Sequence, residues 1–384
     1  MKTIEPYSGF EQGPIRPPSE AESLLIRISR NCPWNQCTFC SLYKETKFSM
    51  RPVDHVIRDI DAIRFYVGVI EGARAAGETL SRRELMKLSP SEGKVDLTAL
   101  HAASNFVANG MKSIFIQDGN SLIIKPEDII YILRHLKDAF PLIERITSYA
   151  RSQTISKISD ENLAQMADAG LNRIHIGMES GSDKVLKIVK KGTDKATHIL
   201  AGQKVKKAGI QLSEYVMPGL GGKSLSRENA LETADALNQI NPDFIRLRTL
   251  ALPTGAPLAE QYHSGAFDKL GEVETAQELL TLLENLDGIT STIRSDHVLN
   301  LFSEIDGKLP GAKEKMMQPL RDFLHLPPYE QMLFCIGRRT HRIASLSSLN
   351  NPAQRNNAID MCERLGATVE NFDEVIDSLM QRFI

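Results

Sequence analysis

Short apolar segments and amphipathic helical segments alternate along the first two thirds of this chain of 384 residues. Residues 24–28 form the first apolar, β-branched run, and apolar residues at helical spacing follow it from Val53 to Ile70. The same order then repeats, and the later predicted strands are 113–116, 145–149, 173–178, 211–217 and 243–250. Such alternation predicts a parallel sheet covered by helices. Because six units fall short of a complete eightfold barrel, the fold class that we expect is α/β, a partial (β/α)6 TIM-like barrel.

The strand pattern stops after Ala259, and helical periodicity takes its place. The predicted helices of this C-terminal part are 273–287, 312–325 and 352–382. We therefore expect three regions: an N-terminal extension over 1–22, a core barrel over 23–260 and an α-rich C-terminal capping region over 261–384. Residues 71–110 interrupt the alternation and are predicted to be an insertion with some helix, between the first helix and the second strand.

The charge balance and the hydropathy pattern exclude several classes of protein. Lys plus Arg number 46 and Asp plus Glu 48, so the formal net charge of −2 gives no reason to expect bulk binding of nucleic acid. No apolar stretch approaches the roughly 18 residues that a membrane-spanning helix needs. The polar, Pro-rich start also lacks the apolar core of a signal peptide. We therefore expect a cytoplasmic protein in a reducing compartment, with no nucleic acid or membrane partner.

Three of the five cysteines, Cys32, Cys37 and Cys40, stand in the spacing C-x4-C-x2-C directly after the first predicted strand. An odd number of cysteines in a reducing compartment argues against a disulfide framework. Three thiolates in one loop suit a metal site with an open coordination position, and a 4Fe–4S cluster with one open iron fits best. Cys335 and Cys362 are too few for a second cluster, so we expect both to be inert core thiols.

Three other interpretations of the cysteine loop remain open. The loop is compatible with three reduced thiols that bind no metal. A structural zinc site would need a fourth ligand, and His55, the nearest additional candidate, lies inside a predicted helix. A plant-type 2Fe–2S ferredoxin has this same spacing but needs a fourth cysteine, and the next one here is Cys335.

Together with Phe39, which precedes the last cysteine of the loop, this cysteine pattern and the (β/α)6 order resemble the radical S-adenosylmethionine (SAM) superfamily. The usual spacing of that superfamily is C-x3-C-x2-C, and this chain carries one more residue in the first gap. The segment 176–186, with Gly177, Glu179 and Gly181, is similar to the branch of tRNA methylthiotransferases, Elongator-type enzymes and coproporphyrinogen dehydrogenases. The resemblance covers about residues 23–260.

The resemblance implies that Cys32, Cys37 and Cys40 bind a 4Fe–4S cluster and that SAM occupies the open iron through its amino and carboxylate groups. It also implies a set of SAM contacts: Phe39 near the adenine, Asp118, Gly119 and Asn120 at the ammonium, Glu179 near the ribose or methionyl end, and Lys191 at the carboxylate. Asn120 stands where the superfamily has a Glu. The blander alternatives are an ordinary turn at 118–120, a helix-N-terminal acid at Glu179 and a solvated lysine at Lys191.

Further candidate cofactor-binding residues lie on the predicted strands or at their ends, and these are Tyr149, Arg151, Ser180, Ser213 and Arg248. Arg246 and Arg248 are expected to share one face of the sixth strand, either inward toward an anion or outward as surface charges. In the C-terminal region, His297 beside Asp296 is a candidate catalytic proton shuttle. The alternative there is a capped helix start with a buried structural histidine.

The resemblance implies an enzyme that cleaves SAM reductively and uses the 5′-deoxyadenosyl radical to abstract hydrogen from a substrate. We expect a small-molecule substrate that the sequence does not identify, and a low-potential electron donor such as flavodoxin or ferredoxin. The alternative function is that of an iron–sulfur carrier or chaperone that uses the loop without SAM turnover. Methylthio-transfer is disfavoured because it needs a second three-cysteine cluster.

Overall fold

The structure, a computed structural model, describes residues 5–14, 17–89 and 95–381, and by internal contacts the chain divides into two compact units. The first unit comprises Met1–Pro33, Glu45–Ile176 and Lys204–Leu212. The second unit comprises Trp34–Lys44, Gly177–Gln203 and Ser213–Ile384. The predicted boundaries at residues 22 and 260 remain a prediction.

The first unit contains parallel strands and the helices that follow them. Its strands are β1 (Leu24–Ile26), β2 (Ser29–Arg30), β3 (Ser49–Met50), β4 (Ser113–Ile116), β5 (Arg145–Ala150) and the first part of β6 (Leu171–Glu179). Its helices are α1 (Val53–Ala75), α2 (Arg82–Leu85), α3 (Leu97–Ala108), α4 (Pro126–Ala139), α5 (Ser152–Ile155) and α6 (Asp160–Asp168). Strand β1 pairs in parallel with β4, β4 with β5, and β5 with β6. The predicted α/β class with parallel strands is therefore confirmed.

Helix α1 shows why this part of the chain folds as the periodicity predicts. Val56, Ile60 and Ile63 recur at helical spacing and have no exposed surface, and Tyr66 continues the same buried face. Helices α2 and α3 lie within the predicted insertion, whose residues 90–94 fall outside the described part of the chain. The first predicted strand is shorter than expected, because the chain leaves β1 after Ile26 and Ser29–Arg30 pairs with β3 instead.

The second unit contains the remaining strands and helices. Its first helices are α7 (Asp183–Ile188) and the start of α8 (Lys195–Lys207), which ends in the first unit. Its strands are the end of β7 (Gln211–Val216), β8 (Phe244–Leu247), β9 (Thr292–Arg294) and β10 (Gly307–Lys308). Its later helices are α9 (Gly222–Ile240), α10 (Pro257–His263), α11 (Glu272–Asn285), α12 (Lys313–Leu324), α13 (Pro328–Arg339), α14 (Pro352–Leu365) and α15 (Phe372–Met380). Strands β7, β8 and β9 pair in parallel, and β10 is antiparallel to β9.

The expectation that strands stop after Ala259 is wrong. Helices α10 and α11 connect β8 to β9, and β9 adds a parallel strand beyond the six predicted ones. Strand β9 has three residues, of which only Ile293 is buried, so it is too short to show an apolar period. Its pairing with β8 depends on backbone hydrogen bonds, which the side-chain pattern does not encode. Within the described residues, we find no helix that combines the length and the apolar character of a membrane span.

Candidate functional site

Two of the three loop cysteines, Cys37 and Cys40, lie in the segment Trp34–Lys44 of the second unit. Between them, the Thr38 N–H donates to the carbonyl of Val189 at 3.0 Å, and the Thr38 carbonyl accepts from the Leu258 N–H at 2.8 Å. Thr38 is buried. Both backbone polar groups of Thr38 are therefore hydrogen-bonded, which fixes the backbone between the two cysteines.

Trp34 ties the start of this loop segment to the turn after α7. Its indole Nε1–H donates to the carbonyl of Lys190 at 2.7 Å. Gly192 has a φ of +72°, and a Cβ on it would lie 2.3 Å from Cζ2 of the indole. The ring therefore occupies the space that any side chain at position 192 would need.

Replacing Gly192 with alanine is expected to displace the indole of Trp34, because the added Cβ overlaps the ring. Trp34 is the single tryptophan of the chain, so we expect its fluorescence to shift to longer wavelength as the ring becomes hydrated. Gly209→Ala is the matched control, since Gly209 has a φ of +73° but no atom within 4 Å of an added Cβ. Equal emission from both variants would contradict the contact.

The chemistry of the thiols fits a cluster on this loop. Cys32, Cys37 and Cys40 are not disulfide-bonded and are partly exposed, whereas Cys335 and Cys362 are buried. Burial raises the pKa of Cys362 to about 11 and raises that of Cys335 well above its usual range, so neither forms a thiolate readily. Among the described residues, no group of three His, Cys, Asp or Glu side chains is placed so that it could hold a single metal ion. A 4Fe–4S cluster does not need that convergence, because each thiolate binds a different iron.

The second unit brings together three of the predicted SAM-binding residues: Phe39, Glu179 and Lys191. Lys191 Nζ lies 2.9 Å from Glu179 Oε1 and 5.8 Å from the centroid of the Phe39 ring. Lys191 is only 8% exposed, so it is not the solvated lysine that its lysine-rich surroundings also allowed. Glu179 ends β6 with a φ of +67°, a left-handed conformation that is uncommon outside glycine.

Glu214, in the middle of β7, is a residue that the sequence analysis missed. It has no exposed surface, and within the described residues neither of its carboxyl oxygens has a hydrogen-bond partner. Burial raises the pKa of Glu214 well above its usual range, the charge of Lys191 opposes this shift, and Glu179 adds to it. The available signal was an acidic residue between Leu212 and Val216 in a predicted strand. Glu is almost never fully buried unless it is paired, so a Glu in such a strand is a candidate for a functional site.

We expect Glu214→Gln to be more stable than the wild type at alkaline pH. The unfolded chain loses the Glu214 proton near pH 4.5, whereas the folded chain retains it because its pKa is raised. Wild-type stability therefore falls as the pH rises above the unfolded pKa, by up to about 1.4 kcal/mol per pH unit, until the folded pKa is reached. Urea unfolding across this range, with the exposed Glu127→Gln as control, measures the difference. A difference that does not change with pH would contradict the unpaired burial.

The first unit holds the predicted SAM contacts that follow β4, which are Asp118, Gly119 and Asn120. Asp118 is buried with a φ of +74°, and its carboxylate lies 2.5 Å from Nε of Arg27. Asn120 Nδ2 donates to Thr154 Oγ1 at 2.8 Å, and its Oδ1 accepts from the Arg151 N–H at 3.0 Å. Gly119 lies between these two residues. The segment 117–120 is therefore held on both sides by polar contacts rather than being a loose turn.

Tyr149 in the first unit and Ser180 in the second, two more predicted SAM-binding residues, each contact a residue of their own unit. The Tyr149 ring packs edge-on against Phe115, with 5.2 Å between the ring centroids. Ser180 is buried and donates its hydroxyl to Asn229 Oδ1 at 2.6 Å. These contacts position both side chains firmly.

Arg246 and Arg248 do not share an environment, contrary to the alternation expected for a longer strand. Arg246 is buried, donates to Ser213 Oγ at 3.2 Å and pairs with Asp296 at 2.7 Å. Arg248 is exposed because β8 ends at Leu247. Of the predicted SAM contacts, Ser213 is therefore bonded to a buried guanidinium, whereas Arg248 is exposed.

His297 lies in a turn, not at the helix start that the blander interpretation expected. Its Nδ1 accepts from the Leu299 N–H at 3.2 Å. Burial and then the positive charge of Arg248 lower the pKa of His297 to about 4, and Asp296 opposes this shift. The imidazole is therefore neutral at neutral pH and has the protonation state of a base.

A cavity of about 490 Å³ lies in the second unit beside the loop that follows β8. Helices α10, α11 and α15 contribute to its walls, which are lined in part by Leu250, Leu252 and Ile376. Two ion pairs at 2.7 Å also lie in the walls: Lys269–Asp377 and Arg339–Glu272. Its volume falls in the range of small-molecule sites, about 300–1,000 Å³.

Comparison with known sequences gives one family match and several partial relatives. The sequence profile of the Radical SAM superfamily matches residues 26–234, which is more than half of the chain. A tRNA uridine(34) acetyltransferase of Methanocaldococcus infernus is 27% identical over 120 residues, which cover 31% of this chain and 22% of that protein. The uncharacterized protein YtqA of Bacillus subtilis is 22% identical over 122 residues, which cover 32% and 37%. The chain thus spans well under half the length of these curated relatives.

Solved structures with similar folds share little sequence with this chain. Coproporphyrinogen III oxidase from Escherichia coli aligns with a TM-score of 0.45 at 12% identity, covering 94% of this chain and 90% of that one. The archaeal Elp3 of Methanocaldococcus infernus, lacking its N-terminus, aligns with a TM-score of 0.41 at 18% identity, covering 68% and 59%.

Proposed function

The chain belongs to the radical SAM superfamily, and from that premise we propose that it is an enzyme that binds a 4Fe–4S cluster through Cys32, Cys37 and Cys40. When bound, such a cluster supplies an electron that cleaves SAM into methionine and a 5′-deoxyadenosyl radical, which takes hydrogen from the substrate. The observation that carries the proposal is the ion pair of Glu179 with Lys191 together with the buried Glu214, which has no hydrogen-bond partner in the described part of the chain. An iron–sulfur carrier needs no such group.

The Glu179–Lys191–Glu214 group matches the chemistry of SAM, which carries an amino group, a carboxylate and ribose hydroxyls. Lys191 supplies the positive charge for the SAM carboxylate and is held by Glu179. Glu214, protonated because burial raises its pKa, offers a buried carbonyl oxygen that could accept a hydrogen bond from a bound ligand and a hydroxyl that could donate one. Phe39, next to Lys191, offers an aromatic face for the adenine.

We assign the SAM ammonium to the segment 118–120 of the first unit. The Asp118 and Gly119 carbonyls would accept its hydrogen bonds, while the contact of Arg27 with the Asp118 side chain keeps the segment in place. Asn120 would supply a neutral side-chain oxygen where the superfamily has a carboxylate. Tyr149, Arg151, Ser180, Ser213 and Arg248 complete the proposed set, and the contacts of Ser180 and Ser213 favour a supporting role for these two.

The substrate proposed here is a small molecule that enters the cavity beside β8. The volume of about 490 Å³ and the mixed apolar and ion-paired walls support that class. His297, neutral at neutral pH, is proposed as the group that accepts a proton from the substrate. The amount of 5′-deoxyadenosine formed per product in His297→Ala tests this role, and an unchanged ratio would assign His297 to structure alone.

The decisive experiment is anaerobic reconstitution with iron and sulfide, reduction by dithionite as a substitute for flavodoxin or ferredoxin, and chromatographic measurement of 5′-deoxyadenosine and methionine. We expect both products in equal amounts from the wild type and neither from Cys37→Ala. A reconstituted protein that contains iron but forms no 5′-deoxyadenosine from SAM would instead favour the carrier function. A screen of metabolites for deuterium transfer to 5′-deoxyadenosine then identifies the substrate.

A further inference from the structure

Glu278 is a carboxyl group buried in α11, far along the chain from the cysteine loop. It is 4% exposed, and its Oε1 accepts hydrogen bonds from the Gly219 N–H and from Asn229 Nδ2, both at 2.8 Å. Gly219 belongs to the glycine-rich turn after β7, and Asn229 lies in α9. One carboxyl oxygen of α11 therefore fixes a turn at a strand end and a side chain of α9.

Asn229 extends these contacts to the turn that follows Glu179. Its Oδ1 accepts from the Ser180 hydroxyl at 2.6 Å, and Ser180 Oγ accepts from the Ser182 N–H at 3.0 Å. The Glu179 carbonyl in turn accepts from the N–H of Met217, which precedes the glycine-rich turn, at 2.8 Å. Glu179 is thus held by backbone contacts on both sides, and these contacts connect to Glu278.

Glu179 needs such support because its backbone has a φ of +67°, a conformation that non-glycine residues keep only where the surroundings enforce it. The turn after it also has little space. A Cβ on Gly181 would lie 2.2 Å from the Glu232 carbonyl oxygen, and the Gly181 N–H donates to Thr233 Oγ1 at 2.8 Å. Small movements of this turn would therefore move the Glu179 side chain that pairs with Lys191.

Glu278 lies close to Glu179. A small cavity of about 10 Å³ is lined by both residues and by Asn229. Oε1 of Glu278 accepts the hydrogen bonds of Gly219 and Asn229, and Ser226 also stabilises the charged form of the carboxyl group. A buried carboxyl group is costly as mere core filling, and that cost argues for a specific positioning task.

We propose that Glu278 is a positioning residue that fixes Glu179 in the conformation in which it and Lys191 bind SAM. This inference rests on the proposed function for the identity of the ligand, but its structural part does not. Glutamine at this position keeps the Oε1 acceptor, whereas leucine of similar size leaves the Gly219 N–H and Asn229 Nδ2 without an acceptor. The two substitutions therefore separate the hydrogen bonds from the volume of the side chain.

The test compares Glu278→Leu, Glu278→Gln and Glu284→Leu, the last being a control on the same helix whose carboxylate pairs with Arg321 at 3.5 Å. In the purified chain without added cofactors, we expect faster amide hydrogen exchange at residues 179–182 and 219 in Glu278→Leu only. After reconstitution we expect SAM affinity to fall about tenfold in that variant, with the iron content unchanged. Glu278→Gln should restore both readouts.

Unchanged exchange and unchanged SAM affinity in Glu278→Leu would overturn the inference, as would a Gln variant as impaired as the Leu variant. If Glu278→Leu does not fold, Asn229→Ala interrupts the same contacts nearer the turn and should give the same two effects. A wild type that carries the cluster but does not bind SAM would refute the proposed function. The exchange measurement would still decide whether Glu278 positions the turn.

Discussion

Cys37→Ala is expected to abolish cluster binding, whereas Cys335→Ala should retain about four irons per chain after anaerobic reconstitution. Cys37 is partly exposed and stands beside Thr38, whose backbone is fixed by two hydrogen bonds, so its thiol can serve as a ligand. Cys335 has no exposed surface, and burial raises its pKa well above the usual range. Iron and sulfide analysis with the visible absorption spectrum measures the difference.

The buried cysteine gives a matched control because both substitutions remove one sulfur. Cys362→Ala adds a second control, since Cys362 is also buried and its thiol has a pKa of about 11. Equal loss of iron from Cys37→Ala and Cys335→Ala would refute a single cluster on the loop. Full iron content in all variants would show that the loop thiols are not ligands.

Lys191→Met is expected to weaken SAM binding at least about thirtyfold, because truncation of a buried, hydrogen-bonded charge costs roughly 2–5 kcal/mol. The substitution removes the ammonium that pairs with Glu179 at 2.9 Å and leaves the buried end of Glu179 without a compensating charge. Equilibrium dialysis of SAM against the reconstituted protein, with iron content as an internal check, measures the loss.

Lys187→Met is the matched control, since Lys187 is exposed and should leave SAM affinity unchanged. Lys191→Arg keeps the positive charge and should recover part of the binding, which separates charge from fold. Thermal unfolding of each variant shows whether lost affinity reflects a lost fold. If Lys191→Met binds SAM as tightly as Lys187→Met, the SAM carboxylate lies elsewhere.

The sequence by itself predicted those features that depend on residues close together in the chain. The apolar spacing of Val56, Ile60 and Ile63 predicted α1, because burial of one helix face repeats with the helical period. The cysteine spacing and the segment around Glu179 predicted the family, because the residues within each of these two motifs are close together in the chain. The burial of Cys335 and Cys362 was also expected, since reduced cysteines outside a metal site favour apolar surroundings.

Only the tertiary structure decided what depends on residues distant in the chain. Lys187 and Lys191 look alike in the sequence, yet only Lys191 is buried, because it packs beside Glu179 and Phe39. The position of Glu214 in an apolar strand was visible in the sequence, but its lack of a hydrogen-bond partner among the described residues was not, and neither were the bonds of Glu278 to Gly219 and Asn229. Apolar periodicity records whether a position is buried, whereas the partner that a buried polar group finds is set by packing in three dimensions.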